Sequence, residues 1–569
     1  MVKFLVGLIA GILLTFLVLA ILVFSLARMR EAPPDIAANS VLVLRLAGEI
    51  PERAPVELPF GLMGRSGTPT VANVWTLLRM AAVDKRIRAV VLEPQSLEVG
   101  WGKLEEIRAD LERFTGSGKP LYAFLRTPGA REYYLALAAN RIYVSPEDQV
   151  YLKGLRAESM YVKGTLDKLG IQVQVEHAGK YKDFGDMFTR AGMSPETREV
   201  LNSLLDDLYG NLVARIAAGR KKTPEEVRAL IDKGPFLAQQ ARAAGLVDEL
   251  RFEDQVFGEL QRALKTGNLN KVGVARYMHV GPAAVGLTGP SRIALLVGEG
   301  TITRGDPGDT GMSEDGLTSE GFNKLLRRVA DDRQIKGVIV RIDSPGGEST
   351  ASAEIWREMN VLARKKPLVV SMSDTAASGG YYMAMTGDPI VAYPGTLTGS
   401  IGVVFGKPDL KGLYNKLGIT KESVSRGRFA DIDWDYGALD AAELAKLREG
   451  VEATYRDFVS KVSEARRRSY QEIDAVAQGR VWLGSQARAR GLVDELGGLD
   501  RALEMVKQKA AIPAGEKVTV VAYPPRRSVL DVLFSRSAET VMESRVEKWV
   551  RARMRPGLLR IMPWAVEFR

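Results

Sequence analysis

The sequence predicts an α/β fold written twice, two tandem copies of one domain with parallel sheets, preceded by a single N-terminal transmembrane helix. Three observations carry this. The chain repeats itself at a nearly constant offset, each repeat alternates β-branched runs with helical patterns, and the N-terminus holds one long apolar run. At 569 residues there is room for several domains of ordinary size.

The apolar run, Phe4 to Ala27, is broken only by Thr15 and Ser25. At about 1.5 Å per residue it spans roughly 36 Å, enough to cross a hydrocarbon core of about 30 Å with some tilt. The competing reading, a cleavable signal peptide, wants a shorter apolar region and an A-x-A site, which the sequence does not offer. Residues 1–30 therefore read as an anchor, and 31–40, with Pro33 and Pro34, as a linker. Lys3 precedes the run and Arg28 and Arg30 follow it, so charge alone points to a cytoplasmic globular part. Gly7 and Gly11 make one GxxxG, a spacing used by paired membrane helices.

The repetition starts beyond the linker. Asp84-Lys-Arg-Ile-Arg-Ala-Val-Val-Leu92 matches Asp332-Arg-Gln-Ile-Lys-Gly-Val-Ile-Val340 at an offset of 248 residues. Tyr133-Tyr-Leu-Ala-Leu matches Tyr381-Tyr-Met-Ala-Met at the same offset, and Ala241 to Leu250 matches Ala487 to Leu496 at 246. Three collinear matches of this kind mark a duplication. The copies are expected over 41–290 and 291–510, followed by a C-terminal extension, 511–569. Val338 to Ile342, Pro367 to Ser371 and Ile390 to Tyr393 read as strands, with helices over Ala351 to Ala363 and Gly379 to Thr386 between them. That alternation argues for parallel strands joined by right-handed crossovers.

Composition narrows the chemistry. There is no cysteine, which removes thiol catalysis, disulfides and zinc–thiolate sites. His177 and His279 are the only histidines, so a multi-histidine metal site is disfavoured and a serine nucleophile would more readily use another base. The net charge of +10 is mostly interspersed with acids on amphipathic helices, which argues against a nucleic-acid partner. Half of it lies between Arg526 and Arg569, where ten Lys/Arg face five Asp/Glu. Val529 to Phe534 and Val541 to Leu559 there read as amphipathic and basic, suited to a membrane surface, an assembly contact or a partly ordered extension.

A duplicated domain exposes its own chemistry, because residues special to one copy stand out against a constant fold. The second copy has Asp343-Ser-Pro-Gly-Gly347 where the first has Gln95-Ser-Leu-Glu-Val99. Successive glycines can turn N–H groups toward one point and bind an anion. The second copy also has Ala376-Ala-Ser-Gly-Gly-Tyr-Tyr382, with Ser378 where a strand hands over to a helix. The first copy has Ala130, Arg131 and Glu132 there. A helix is expected in both, so capping does not explain the serine. Conversely, Gly179-Lys-Tyr-Lys-Asp183 of the first copy faces Gly427-Arg-Phe-Ala-Asp431 of the second. Lys180 is matched by Arg428, whereas Lys182 is matched by Ala430. Each copy thus carries alanine where the other carries a reactive group.

A lysine base must be neutral, so its pKa must fall from about 10.4, and burial supplies such a fall. Lys182 would take the Ser378 proton while Ser378 attacks an amide carbonyl. Gly346, Gly347 and Gly379 are candidate oxyanion donors through their backbone N–H groups. Thr398 and Ser400, in Leu397-Thr-Gly-Ser-Ile401, are candidates to orient the lysine, or else plain turn-formers before a strand.

The doubled domain, the Tyr-Lys-Asp lysine, Asp-Ser-Pro-Gly-Gly, Ala-Ser-Gly-Gly-Tyr and Leu-Thr-Gly-Ser-Ile-Gly together resemble the signal peptide peptidase A (protease IV) family, in its long, duplicated form. The resemblance runs from the anchor to about residue 510. It implies two domains like ClpP and crotonase subunits, a membrane-anchored serine endopeptidase acting on peptides such as cleaved signal peptides, and a homotetrameric bowl. The bowl would sit on the bacterial inner membrane with its catalytic part extracytoplasmic, that is periplasmic. This opposes the charge reading and outweighs it. Residue by residue, it makes Ser378 the nucleophile and Lys182 the base, with no cofactor or metal. The rivals are a crotonase-like acyl-CoA enzyme, which would want acidic catalytic residues near the glycines, and a non-catalytic membrane scaffold.

Overall fold

A computed structural model describes residues 34–53, 69–305, 316–523, 557–562 and 567–568, besides positions 7, 11, 14 and 15. The expected anchor, Phe4 to Ala27, otherwise lies outside the described residues. Among those described, no helix is long and apolar enough to cross a membrane.

Each copy builds one large parallel sheet. The first runs in the order Asn270–Gly273, Ser40–Gly48, Ile87–Leu97, Leu121–Leu125, Arg141–Val144 and Glu249–Leu250, every pair parallel. The second runs Val481–Leu483, Leu397–Gly399, Leu368–Ala377, Ile335–Ser344, Ser291–Glu299 and Val518–Tyr523, parallel except where Val481–Leu483 joins. Their central strands, such as Ile335–Ser344, are buried almost throughout. Continuous apolar runs of that kind suit a sheet covered on both faces.

The elements expected in the second copy are present with shifted ends. The helix expected from Ala351 spans Ser349–Lys365, and the one expected over Gly379 to Thr386 closes at Met383. The copies also share a 26-residue helix, Pro195–Arg220 in one and Ala441–Arg466 in the other. Both start from a side-chain cap, Ser194 or Asp440, and end on a left-handed residue, Lys221 or Arg467. The second sheet takes its edge strand, Val518–Tyr523, from beyond residue 510, and it pairs with Ser291–Glu299 as Asn270–Gly273 pairs with Ser40–Gly48. The extension therefore contributes to the repeat. Residues 557–559, expected in an amphipathic stretch, belong instead to the strand Gly557–Ile561, because sheet edges on both sides offer it hydrogen-bonding partners. Residues 529–534 and 541–556 lie outside the described ones.

A third sheet ties the copies together. Its order is Gly316–Thr318, Thr301–Thr303, Gly346–Glu348, Gly557–Ile561, Val403–Asp409 and Gln172–Ala178. Gln172–Ala178, from the first copy, pairs antiparallel with Val403–Asp409 along its whole length. Trp75 of the first copy is also buried in a cluster of second-copy residues that includes Ile293, Ile339, Val369 and Leu499, and its indole N–H donates to Asp500 at 2.7 Å. Burying so large a ring against the sister copy favours a fixed relation between the halves.

Candidate active site

Ser378 follows the strand Leu368–Ala377 and directly precedes the short helix Gly379–Met383, with no capping hydrogen bond from its hydroxyl. Its φ of 54° and ψ of −113° form a sharp strand-to-helix turn that L-residues avoid. The turn is held from both sides. The Ser378 N–H donates to the Gly399 carbonyl at 2.8 Å, and the Ser378 carbonyl accepts from Tyr382 N–H at 2.8 Å. Gly380 lets the helix close on the glycine loop, since a Cβ there would meet the Ser344 carbonyl at 2.7 Å.

Lys182 reaches this turn from the other copy. It lies just past the strand Gln172–Ala178, in a turn that the second copy fixes: Tyr181 N–H donates to the Gln478 carbonyl at 2.7 Å, and Lys180 N–H to the Gln478 side chain at 3.2 Å. Glycines clear the way for the lysine stem. A Cβ at Gly479 would stand 2.6 Å from the Lys182 nitrogen, and one at Gly402 would stand 3.1 Å from its Cδ. The Lys182 Nζ ends 2.9 Å from Ser378 Oγ and 2.9 Å from Ser400 Oγ, and it donates to the Ser400 carbonyl at 3.0 Å. Lys182, Ser378 and Ser400 are all 0% exposed. Burial of this degree penalises the charged form of an amine.

The structure brings Ser400 to the amine but not Thr398. The Thr398 hydroxyl donates to the Ala376 carbonyl at 2.7 Å, bracing the strand beneath Ser378, so its expected role in orienting the lysine is replaced by a bracing one. Of the expected oxyanion donors, Gly346 turns its N–H to Ser344 Oγ at 3.2 Å within its own loop, and Gly347 packs tightly on the Ile302 backbone. Gly379, the first helical residue, has no intrahelical acceptor for its N–H. Lys180 is exposed, 4.0 Å from Glu196. Both histidines are exposed, with Nδ1 near a backbone carbonyl, Gly179 for His177 and Ala275 for His279.

An extended backbone already lies beside these groups. Gly557–Ile561 pairs with Gly346–Glu348 on one edge and with Val404, Phe405 and Gly406 on the other, and Met562 N–H donates to the Pro345 carbonyl at 2.7 Å. The site thus joins a serine hydroxyl, a buried amine, a helix N-terminus and a groove that accepts a strand. Together these can perform acyl transfer from an extended peptide. Comparing the copies finds Ser378 and Lys182. It does not find Gly402, Gln478 or Gly479, which leave room for, or hold, a lysine from far along the chain.

A family model described as "Peptidase family S49" matches residues 113–266 and again 360–513. The chain is similar to a protein named "Serine protease SPPA, chloroplastic" from Arabidopsis thaliana, 37% identical over 87% of this chain and 73% of that one. It is similar to "Protease 4" of Salmonella typhi, 31% identical over 84% of this chain and 79% of that one. A shorter match, 32% identical over 41% of this chain and 67% of its own, is a "Putative signal peptide peptidase SppA" of Enterococcus faecium.

Proposed function

The chain belongs to peptidase family S49 and is a serine-type peptidase, and on that premise we propose that it cleaves peptide bonds with a Ser378–Lys182 dyad divided between its two copies. The observation that carries the proposal is the 2.9 Å approach of the fully buried Lys182 amine to Ser378 Oγ. Neutral Lys182 takes the hydroxyl proton as Ser378 Oγ bonds to the scissile carbonyl carbon. The C–N bond then breaks, and Lys182 returns the proton to the leaving amine. Water, deprotonated by the same amine, then adds to the acyl carbon; the C–Oγ bond breaks, the acid leaves, and Lys182 returns the proton to Ser378 Oγ. Gly379 N–H faces the oxyanion. Ser400 holds the amine in place through its hydroxyl and carbonyl.

The second copy, 291 onward, supplies the nucleophile and the oxyanion donor, and the first, from 41, supplies the base. The substrate class is an extended peptide, with cleaved signal peptides as its natural source. A groove that already holds a strand and a relative named a signal peptide peptidase both support this. Phe4 to Ala27 tethers the enzyme to a bacterial inner membrane, with the catalytic part periplasmic and the assembly tetrameric. These last points rest on the apolar run and the family resemblance.

The test is peptide cleavage and fluorophosphonate labelling of the wild type, Ser378→Ala and Lys182→Ala. Wild type should be labelled at Ser378 with a rate that climbs with pH as Lys182 loses its proton, and both variants should be inactive but folded. Full activity in Lys182→Ala would remove the dyad.

A further inference from the structure

The copy without the serine does more than lend a lysine. Its helix Trp101–Thr115 runs against the nucleophile-bearing sheet and meets the second copy through three polar side chains of its first turns, Lys103, Glu105 and Glu106. Lys103 Nζ lies 2.7 Å from Asp343 and 3.9 Å from Asp374. Glu105 accepts from Gly395 N–H at 2.7 Å. Glu106 accepts from the guanidinium of Arg341 at 2.5 Å and from Leu499 N–H at 2.7 Å. Asp374 returns the contact, capping the helix by accepting from Gly100 N–H and Lys103 N–H, each at 2.7 Å. The approach is close enough to need glycine, since a Cβ on Gly102 would meet the Ser373 carbonyl at 2.7 Å.

Lys103 sits at the junction that matters to the reaction. Asp343 opens the Asp-Ser-Pro-Gly-Gly loop, and Asp374 lies on the strand that leads into Ser378. Asp343 also accepts from Thr375 N–H at 3.0 Å, so the two stems are already stitched at this level. Burial works against the Lys103 charge, but the two carboxylates outweigh it and hold the ammonium well above its ordinary range. Asp374, by contrast, is pushed up to about 6, first by burial and then despite Lys103 by the charge of Asp343 beside it. Without the cation, two partly buried carboxylates would face each other with only backbone N–H groups to offset their charge.

The comparison that singled out the dyad singles out this helix too. The equivalent helix of the second copy, Ser349–Lys365, has Ala351 opposite Lys103 and Ala353 opposite Glu105, and the first copy has Gln95 opposite Asp343. The ion pair has no counterpart across the pseudo-symmetry, so the shared fold does not require it.

We infer that Lys103 is a positioning residue for the peptidase reaction: by bridging Asp343 and Asp374 it sets the glycine loop against the Ser378 turn across the boundary between the copies. It touches no reacting atom. The inference rests on Ser378 acting as the nucleophile.

The experiment compares full-length wild type, Lys103→Met, Lys103→Arg and the double variant Lys103→Met with Asp343→Asn. The readouts are kcat, KM, the fluorophosphonate labelling rate at Ser378, and thermal unfolding. Displacements near 1 Å at a reacting centre cost on the order of 100-fold, so Lys103→Met should lose roughly 100-fold in kcat and in labelling with KM nearly unchanged. Lys103→Arg, which keeps the cation, should recover most of that loss. The double variant strands no charge at Asp343, so it should regain stability while kcat stays low. Wild-type kcat in Lys103→Met overturns the inference, and so does recovery of kcat together with stability in the double variant, which would make the ion pair purely structural. Failure of wild type itself to be labelled at Ser378 would instead overturn the dyad.

Discussion

Ser378 is held where its backbone is strained, and the strain can be measured apart from the chemistry. A non-glycine residue at φ 54°, ψ −113° costs on the order of 1–3 kcal/mol, stored only because the surroundings over-determine the turn. Here they do so through the Gly399 and Tyr382 backbone bonds. Both Ser378→Ala and Ser378→Gly remove the hydroxyl, but only glycine relieves the strain. Glycine's extra chain entropy takes back roughly 0.5–1 kcal/mol, so Ser378→Gly should be more stable than Ser378→Ala by about 1 kcal/mol in denaturant unfolding. Equal stabilities would mean that the turn is relaxed. At this scale the sequence revealed residues that differ between copies, because a fixed fold cancels everything else: Ser378 against Ala130, Lys182 against Ala430. It could not rank Thr398, on a short strand, against Ser400, just past that strand's end, since only the direction of each hydroxyl separates them. One meets the Ala376 carbonyl and the other the lysine amine. Nor did it expose Lys103, whose meaning depends on Asp343 and Asp374 lying opposite it in space.

Among the elements, the strand Gly557–Ile561 begins inside the stretch Val541 to Leu559 that reads as basic and amphipathic. Periodicity describes a segment's own faces and says nothing of an open sheet edge waiting elsewhere. The edges it fills are those of Gly346–Glu348, in the Asp-Ser-Pro-Gly-Gly loop region, and Val403–Asp409, whose far edge pairs with the strand before the Lys182 turn. On the proposed function, an extended peptide bound across the site uses the same N–H and C=O groups, and the tail and the substrate then compete. A protein whose groove is occupied by its own chain binds ligand with an affinity reduced by the fraction that is open. A chain ending at Tyr523 keeps the second sheet's edge strand and frees the groove. Its KM for an extended peptide should fall several-fold with kcat nearly unchanged in steady-state assays. An unchanged or higher KM would mean that peptides bind elsewhere. The paired helices Pro195–Arg220 and Ala441–Arg466 show the opposite case, where local signals suffice: a side-chain cap and a left-handed end set each boundary without help from the fold.

For the whole molecule, the two copies are legible as a tandem repeat, but their mutual placement is not, because it is written in charges that meet only after folding. The fully buried Arg341 binds Glu52 and Glu106 of the first copy, while the first copy's Glu93, at its equivalent position, binds Arg45. Several carboxyls at this junction ride high. Burial raises Glu105, Glu106 and Glu299, and it pushes Asp374 up to about 6. Glu105 gives the clearest test, because it links helix Trp101–Thr115 to Gly395, just before the strand that leads to Ser400, and burial pushes it up to about 7 from its ordinary 4.5. A carboxyl with a raised folded pKa keeps its proton in the native state over a window where the unfolded chain has lost it. The native state then binds more protons, and stability falls as pH rises through that window. For Glu105 the window runs from about 4.5 to about 7, and the loss is on the order of 3 kcal/mol. Glu105→Gln can still accept the Gly395 N–H but cannot titrate. Denaturant unfolding at pH 5 and pH 8 should therefore show a larger loss of stability for wild type than for Glu105→Gln. The variant should gain on wild type as pH rises, because it never confines a charge between the copies. Parallel pH profiles for the two proteins would remove Glu105 as a source of the pH dependence.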